Sequence, residues 1–195
     1  MLIDLYTETD FIEPEDKAGA LAEIFLNIHG QRIENIKNLF GRLPTEGEIL
    51  FLWTVNSFNA FTFIPYIIRY CGDVHEVVMS TYSINIRIID ALVRLVDSCK
   101  IHSIHIFISD SIKSRLPKVY DHLMAVIVNK PISVDFAWNH SKITLIKTVD
   151  GHYVVEGSGN WGENAKHEQY IFLNSRNIYE FRKNEILYAI ERRSI

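Results

Sequence analysis

Apolar residues recur at threes and fours between positions 15 and 40, where Leu21, Ile24, Phe25, Ile28, Ile36, Leu39 and Phe40 predict a helix, weakened at Gly30. Gly41 and Pro44 end that pattern. The run 48–55 (EILFLWTV) is continuously apolar and predicts a buried strand, with Asn56, Ser57, Phe58 and Asn59 as its polar exit. Strand and helix patterns then alternate. A short helix is expected over 60–70, where Pro65 obscures its start. A strand follows at 75–82 (HEVVMSTY), then an amphipathic helix at 86–99 carrying Ile88, Ile89, Leu92, Leu95 and Val96. Positions 103–108 (SIHIFI) read as strand, 119–128 as helix and 132–138 (ISVDFAW) as strand. The apolar runs 143–146 and 153–155 flank Asp150-Gly151, a hairpin signal, and 170–173 reads as a further strand. A helix over 177–193 closes the chain, presenting Ile178, Phe181, Ile186, Leu187 and Ile190, with Arg192 and Arg193 suited to its C-terminal end.

This order predicts an α/β fold: a mixed, largely parallel sheet flanked by helices on both faces, with an N-terminal helix and a C-terminal helix. We expect one domain over 1–195, comprising an N-terminal helical extension (1–45) and a motif hairpin with its following strand (133–173). Composition adds little to that picture, since 48% apolar and 23% charged residues are ordinary for a soluble globular protein. The charge distribution adds more. Lys and Arg stand against Asp and Glu at 7 to 14 before Lys100, and at 13 to 10 from there on. The second half therefore permits a local basic cleft, while the net charge of −4 argues against a protein that coats nucleic acid. Cys71 and Cys99 have no metal-ligand spacing and read as free, buried thiols of a reducing compartment. The acidic start MLIDLYTETDFIEPED lacks the order of a secretion signal, and no apolar run has the length of a membrane span, so a cytoplasmic location is expected.

The candidate chemistry lies in 140–168, HSKITLIKTVDGHYVVEGSGNWGENAKHE. His140 and Lys142, two apart, are expected on one face of a strand. Ser158 and Asn160 follow the return strand in a Gly157-Ser158-Gly159-Asn160 run, where glycines let backbone approach a ligand, and Glu168 lies just beyond. One imidazole, one ammonium, one hydroxyl, one amide and one carboxylate suit phosphoryl transfer without metal: a neutral imidazole attacks phosphorus and the donors hold the non-bridging oxygens. No cofactor is implied, and no cluster of acids for a magnesium site accompanies the pair. The segment resembles the phospholipase D superfamily, whose pattern is His-x-Lys, four residues, Asp, then Gly-Ser-x-Asn and a Glu. His140, Lys142, Gly157, Ser158, Asn160 and Glu168 match it, and short single-motif members of bacteria and phages are the most similar branch. Two departures stand out. Lys147 occupies the position of the Asp, with Asp150 better read as part of the turn, and the stretch from Lys142 to Gly157 is long for the family.

The resemblance implies a metal-independent phosphodiesterase, foremost a nuclease acting on nucleic acid, with His140 as nucleophile, Lys142, Ser158 and Asn160 holding the phosphate and Glu168 orienting His140. A single motif further implies a homodimer with a composite active site, burying Trp138 or Trp161 at its interface. The alternative is a catalytically inactive binding or assembly protein on the same fold; a lipid phosphodiesterase finds no support in an interfacial amphipathic segment. Ser57, Tyr82, Ser83 and Asp110, at other strand ends, are further candidates for the cleft, although each could equally cap a helix. His102 and His105, three apart on a strand, point to opposite faces and do not form a metal pair. His152 and His167 read as exposed. The GSGNWGEN run lacks the ending of a nucleotide-binding loop, and no Gly-x-Ser-x-Gly elbow is present.

Overall fold

The computed structural model of the chain describes residues 41–54, 59–162 and 167–191. Of the expected N-terminal extension, 1–40 lies outside the described residues, as do Ser57, Arg192 and Arg193; positions 41–45 form no helix. Seven strands, β1 (Ile49–Thr54), β2 (Glu76–Thr81), β3 (Ile104–Ser109), β4 (Ile132–Ala137), β5 (Ile143–Lys147), β6 (His152–Gly157) and β7 (Glu168–Asn174), form one sheet in the order β1-β7-β6-β5-β2-β3-β4. The sheet is mixed, as expected. Parallel pairing is confined to β2-β3-β4, which are joined by helical crossovers, while the hairpin and its neighbours pair antiparallel.

Alternation along these strands divides the core in two. Val77, Met79, Ile106, Ile108, Val155 and Phe172 face helices α1 (Phe63–Cys71), α2 (Ile86–Asp97), α3 (Ile112–Arg115) and α4 (Pro117–Val126). Val78, Phe107, Ala137, Leu145, Val154 and Leu173 face the opposite way, where α5 (Arg176–Glu191) covers them with Tyr179 and Ile186. Helices thus flank both faces. Pro65 is accommodated because it falls in the first turn of α1, preceded by a 3-10 turn at Ala60–Thr62, where its missing N–H has no helical partner to lose. Asn85 caps α2 by accepting the Ile88 N–H at 2.9 Å. The outer end of α5 is pinned by Glu76, which accepts from Tyr179 Oη (2.7 Å) and Lys183 Nζ (2.6 Å).

The turn predicted at Asp150-Gly151 is shifted by one residue. Thr148 and Gly151 close the hairpin, with Thr148 N donating to the Gly151 carbonyl at 2.9 Å and Gly151 N to Thr148 Oγ1 at 3.0 Å. Val149 and Asp150 form the tip. Gly151 is required for space, since an added Cβ would lie 2.5 Å from the Tyr153 ring.

Candidate active site

Strand direction assembles the site. β2 and β6 end at the same edge of the sheet at which antiparallel β5 and β7 begin. The residues before β5 (His140, Lys142), after β6 (Ser158, Asn160) and opening β7 (Glu168) therefore meet at one edge although their chain positions are far apart. That edge also carries the C-terminal ends of β3 and β4.

His140 and Lys142 precede β5 rather than lying within it, so strand alternation is not what unites them. Lys142 folds back: its Nζ donates to the His140 carbonyl at 2.8 Å and lies 2.9 Å from His140 Nδ1. An ammonium has no lone pair, so Nδ1 accepts and a neutral His140 ring carries its proton on Nε2. Burial lowers the Lys142 pKa below its ordinary value, partly offset by the negative charge of Glu168. Glu168 itself accepts from the Ser158 hydroxyl, and Gln169 N donates to Ser158 Oγ at 3.1 Å. The place beside His140 Nδ1 at which Glu168 was expected is thus taken by Lys142.

The glycines are explained by close approach. A Cβ on Gly157 would overlap the Gln169 carbonyl, and one on Gly159 would overlap the Tyr170 hydroxyl and sit 3.5 Å from the Glu168 carboxyl carbon. Asn160 follows with its Oδ1 buried and without a hydrogen-bond partner. Such an atom is costly unless something donates to it. Trp161, fully buried, locks the end of this loop: its Nε1 donates to Thr144 Oγ1 at 3.1 Å and its ring meets Phe61 edge-on. The expectation that Trp161 serves a subunit interface is therefore corrected, because the residue is spent in the chain's own core. Trp138, 93% exposed, is not.

Two residues at this edge, Asn139 and Arg115, had no sequence signal, and Tyr82 was a cleft candidate. Asn139 is buried, with Nδ2 donating to Ser80 Oγ (2.8 Å), the Phe107 carbonyl (3.1 Å) and the Thr81 carbonyl (3.2 Å). Its Oδ1 accepts from Ser141 N (2.9 Å) and Ser141 Oγ (2.8 Å). It thereby ties the segment holding His140 to the ends of β2 and β3. Tyr82 stands beside His140, ring centroids 4.9 Å apart, and Arg115 lies over the Tyr82 ring at 4.9 Å while bonding its hydroxyl. Of the other cleft candidates, Thr81 Oγ1 bonds the Ser83 carbonyl, and the Asp110 backbone joins β4 and opens α3. An open groove of about 510 Å³ adjoins the site, lined in part by Phe51, Trp53, Gly157 and Tyr170.

Four further histidines among the described residues are engaged elsewhere. His105 Nε2 lies 2.8 Å from Asp135, and His122 Nε2 lies 2.6 Å from Asp90. His167, exposed as expected, accepts from Trp53 Nε1 at 3.2 Å, whereas His152 is half-buried against Tyr179. Among the described residues no helix is long and apolar enough to cross a membrane.

No protein-family model and no curated protein sequence matches the chain. Solved structures do. The chain is similar to Nuc, a phospholipase D family member from Salmonella typhimurium, with a TM-score of 0.55 and 18% identity over 73% of this chain and 93% of that one. It is also similar to TrmBL2, an archaeal chromatin protein with a novel mode of DNA binding, with a TM-score of 0.51 and 10% identity over 89% of this chain and 65% of that one. The fold is phospholipase D-like, as the motif implied.

Proposed function

We propose that the protein is a phosphodiesterase, foremost a nuclease, that works through a phosphohistidine and needs no metal for the chemistry. The observation that carries this reading is the convergence at one sheet edge of His140, Lys142, Ser158, Asn160 and Glu168, with a partly desolvated ammonium among them. A phosphodiester entering there meets donors from Lys142, Ser158 and Asn160, which stabilise charge developing on its non-bridging oxygens. An imidazole nitrogen of His140 attacks phosphorus, the P–O bond to the leaving group breaks, and the departing oxygen takes a proton from a second imidazole. Water then attacks the P–N bond, giving its proton back to that second ring, and frees the phosphate product.

The resting contact between Lys142 and His140 suits neither role as it stands. With Nδ1 accepting and Nε2 protonated, the neutral ring has no Nε2 lone pair for attack and is not the imidazolium that an acid must be. Attack through Nε2 requires the opposite tautomer, so substrate must draw Lys142 onto its own oxygens and leave Nδ1–H for a carboxylate such as Glu168. One motif per chain supplies one such ring. A homodimer with His140 of a second copy across a two-fold axis supplies the other. The exposure of His140 and Trp138 at this edge supports a composite site there.

The test is hydrolysis of bis(p-nitrophenyl) phosphate and of DNA by the full chain in EDTA, beside His140→Ala. Activity that survives chelation and disappears in the variant is expected. Activity that appears only with added magnesium overturns the mechanism, and none under any condition returns the protein to the inactive binding or assembly reading. Subunit exchange with excess His140→Ala should poison wild-type turnover; turnover proportional to wild-type chains after verified exchange rules out a shared site.

A further inference from the structure

We propose that Asp73, His75 and His102 form a binding site for a divalent transition-metal ion, zinc foremost, at the opposite end of β2 and β3 from the motif. His75 precedes β2 and Tyr82 follows it, so roughly 23 Å of strand separates this cluster from the motif edge at ~3.3 Å per residue. The ligand atoms of the three side chains all lie within 4.8 Å of one another. His102 Nε2 is 3.0 Å from Asp73 Oδ2, and the His75 and His102 rings stack with centroids 5.4 Å apart and planes 20° from parallel.

Backbone pairing holds them in place. Val74 N donates to the Lys100 carbonyl and His102 N to the Val74 carbonyl, both at 2.9 Å, while His75 N donates to the Lys147 carbonyl at 2.8 Å. Val74 and Ile101 pair as a parallel bridge and are buried in the core. The residues flanking them are therefore turned outward side by side, Asp73 and His75 from one segment and His102 from the other. Ser103 Oγ fixes the next carbonyl by donating to His75 O at 3.1 Å. Little backbone ordering is left to be done when an ion arrives.

The donor set decides the ion. The neutral imidazole is the form that binds metal. Two nitrogens and one carboxylate suit zinc and its first-row neighbours, whereas calcium and magnesium prefer all-oxygen shells. Three protein ligands leave a coordination position for water or a partner's side chain. An ion there would join the α1–β2 loop to the start of β3 far from the phosphodiester chemistry, so the inference stands or falls independently of the proposed activity.

The experiment titrates metal-stripped full chain with Zn²⁺ by calorimetry, with Co²⁺ absorption as a second readout. One equivalent per chain is expected, with visible Co²⁺ bands and a rise in Tm of several degrees at saturation. Asp73→Asn and His102→Ala alter half-exposed side chains and should leave the circular dichroism spectrum unchanged while weakening binding by at least about tenfold. His140→Ala should bind as wild type does. Binding weaker than roughly 100 µM, or equally tight in both cluster variants, overturns the site and leaves only an Asp73–His102 ion pair.

Discussion

Asn139→Asp is the most informative single change in the protein, because it keeps the shape of a buried side chain and reverses its hydrogen bonding. The two Nδ2 protons of Asn139 are shared among Ser80 Oγ and the Thr81 and Phe107 carbonyls, and Oδ1 takes two bonds from Ser141. A carboxylate keeps the bonds from Ser141 but turns an acceptor toward two backbone carbonyls. Losing two hydrogen bonds costs about 1 kcal/mol each, and leaving buried acceptors unmet adds about 1–3 kcal/mol, so a loss of about 3–5 kcal/mol is expected. At roughly 2–4 °C per kcal/mol for a chain of this size, Tm should fall by about 6–20 °C. Denaturant unfolding gives the free energy, and turnover measured well below the new Tm tests whether the segment bearing His140 still holds its position. On the proposed mechanism activity should fall with KM little changed, since Asn139 holds the segment bearing His140 and is itself buried. A stability loss under about 1 kcal/mol would refute the reasoning by showing that the network is not anchored on the amide donors.

Ser158→Ala should lower turnover by about 10- to 1,000-fold, as removal of one transition-state donor does, while His140→Ala should lose several orders of magnitude. Acid quench of a turnover mixture should yield an acid-labile phosphohistidine; an acid-stable phosphoserine would reverse the assignment. The protein should also lose stability in acid. Burial raises the Glu76 pKa, but the bonds from Lys183 and Tyr179 outweigh it and leave the group below its ordinary 4.5; burial with Lys147 and Arg176 nearby lowers His152 below 6.5. Both groups bind protons more readily in the unfolded chain. Their stabilisation is therefore complete above 6.5, and it fades first for His152 and then, below 4.5, for Glu76. Glu76→Gln should cost about 2 kcal/mol at pH 7 and less as the pH falls below 4.5, read by urea unfolding at each pH.

The order of elements was legible because apolar periodicity is local, and so was the motif, whose members fall within one stretch of 140–168. What could not be read is proximity between distant segments. Nothing in the run 48–55 says that β1 joins the sheet through β7, at the far end of the chain. Asn139 looks like any polar residue after a strand, and Arg115 sits in a four-residue helix too short to have a period. His102 was weighed against His105 because they are close in sequence, whereas its neighbours are His75 and Asp73, supplied by the adjacent strand. The apolar pattern misled in two places. The run 48–55 was expected to be a buried strand, but β1 lies at the edge of the sheet and Ile49, Phe51 and Trp53 are exposed. Phe181 was expected among the apolar residues of the last helix, but α5 turns Tyr179 and Ile186 to the sheet, and Phe181 and Tyr188 are exposed.

The aspartate absent from the motif that this chain resembles has a structural answer. Lys147, which occupies its position, is the last residue of β5, roughly 17 Å of extended chain from Lys142 at ~3.3 Å per residue, and so lies at the edge of the sheet away from the motif. It stands directly opposite Glu76 on β2 and His152 on β6, and its charge helps hold Glu76 ionised. Here a cation is the matched residue, because Glu76 also anchors Tyr179 and Lys183 of the covering helix. Restoring the family residue should therefore harm the fold and leave the chemistry alone. Lys147→Asp places two carboxylates in a cross-strand pair, exchanging an attraction for a repulsion at about 1–2 kcal/mol. Turnover below the new Tm should stay within about twofold of wild type, because a change of that energy is confined to the opposite edge. A variant that gained activity by tenfold or more without losing stability would instead show that this position belongs to the catalytic machinery, and that the natural chain runs with it impaired.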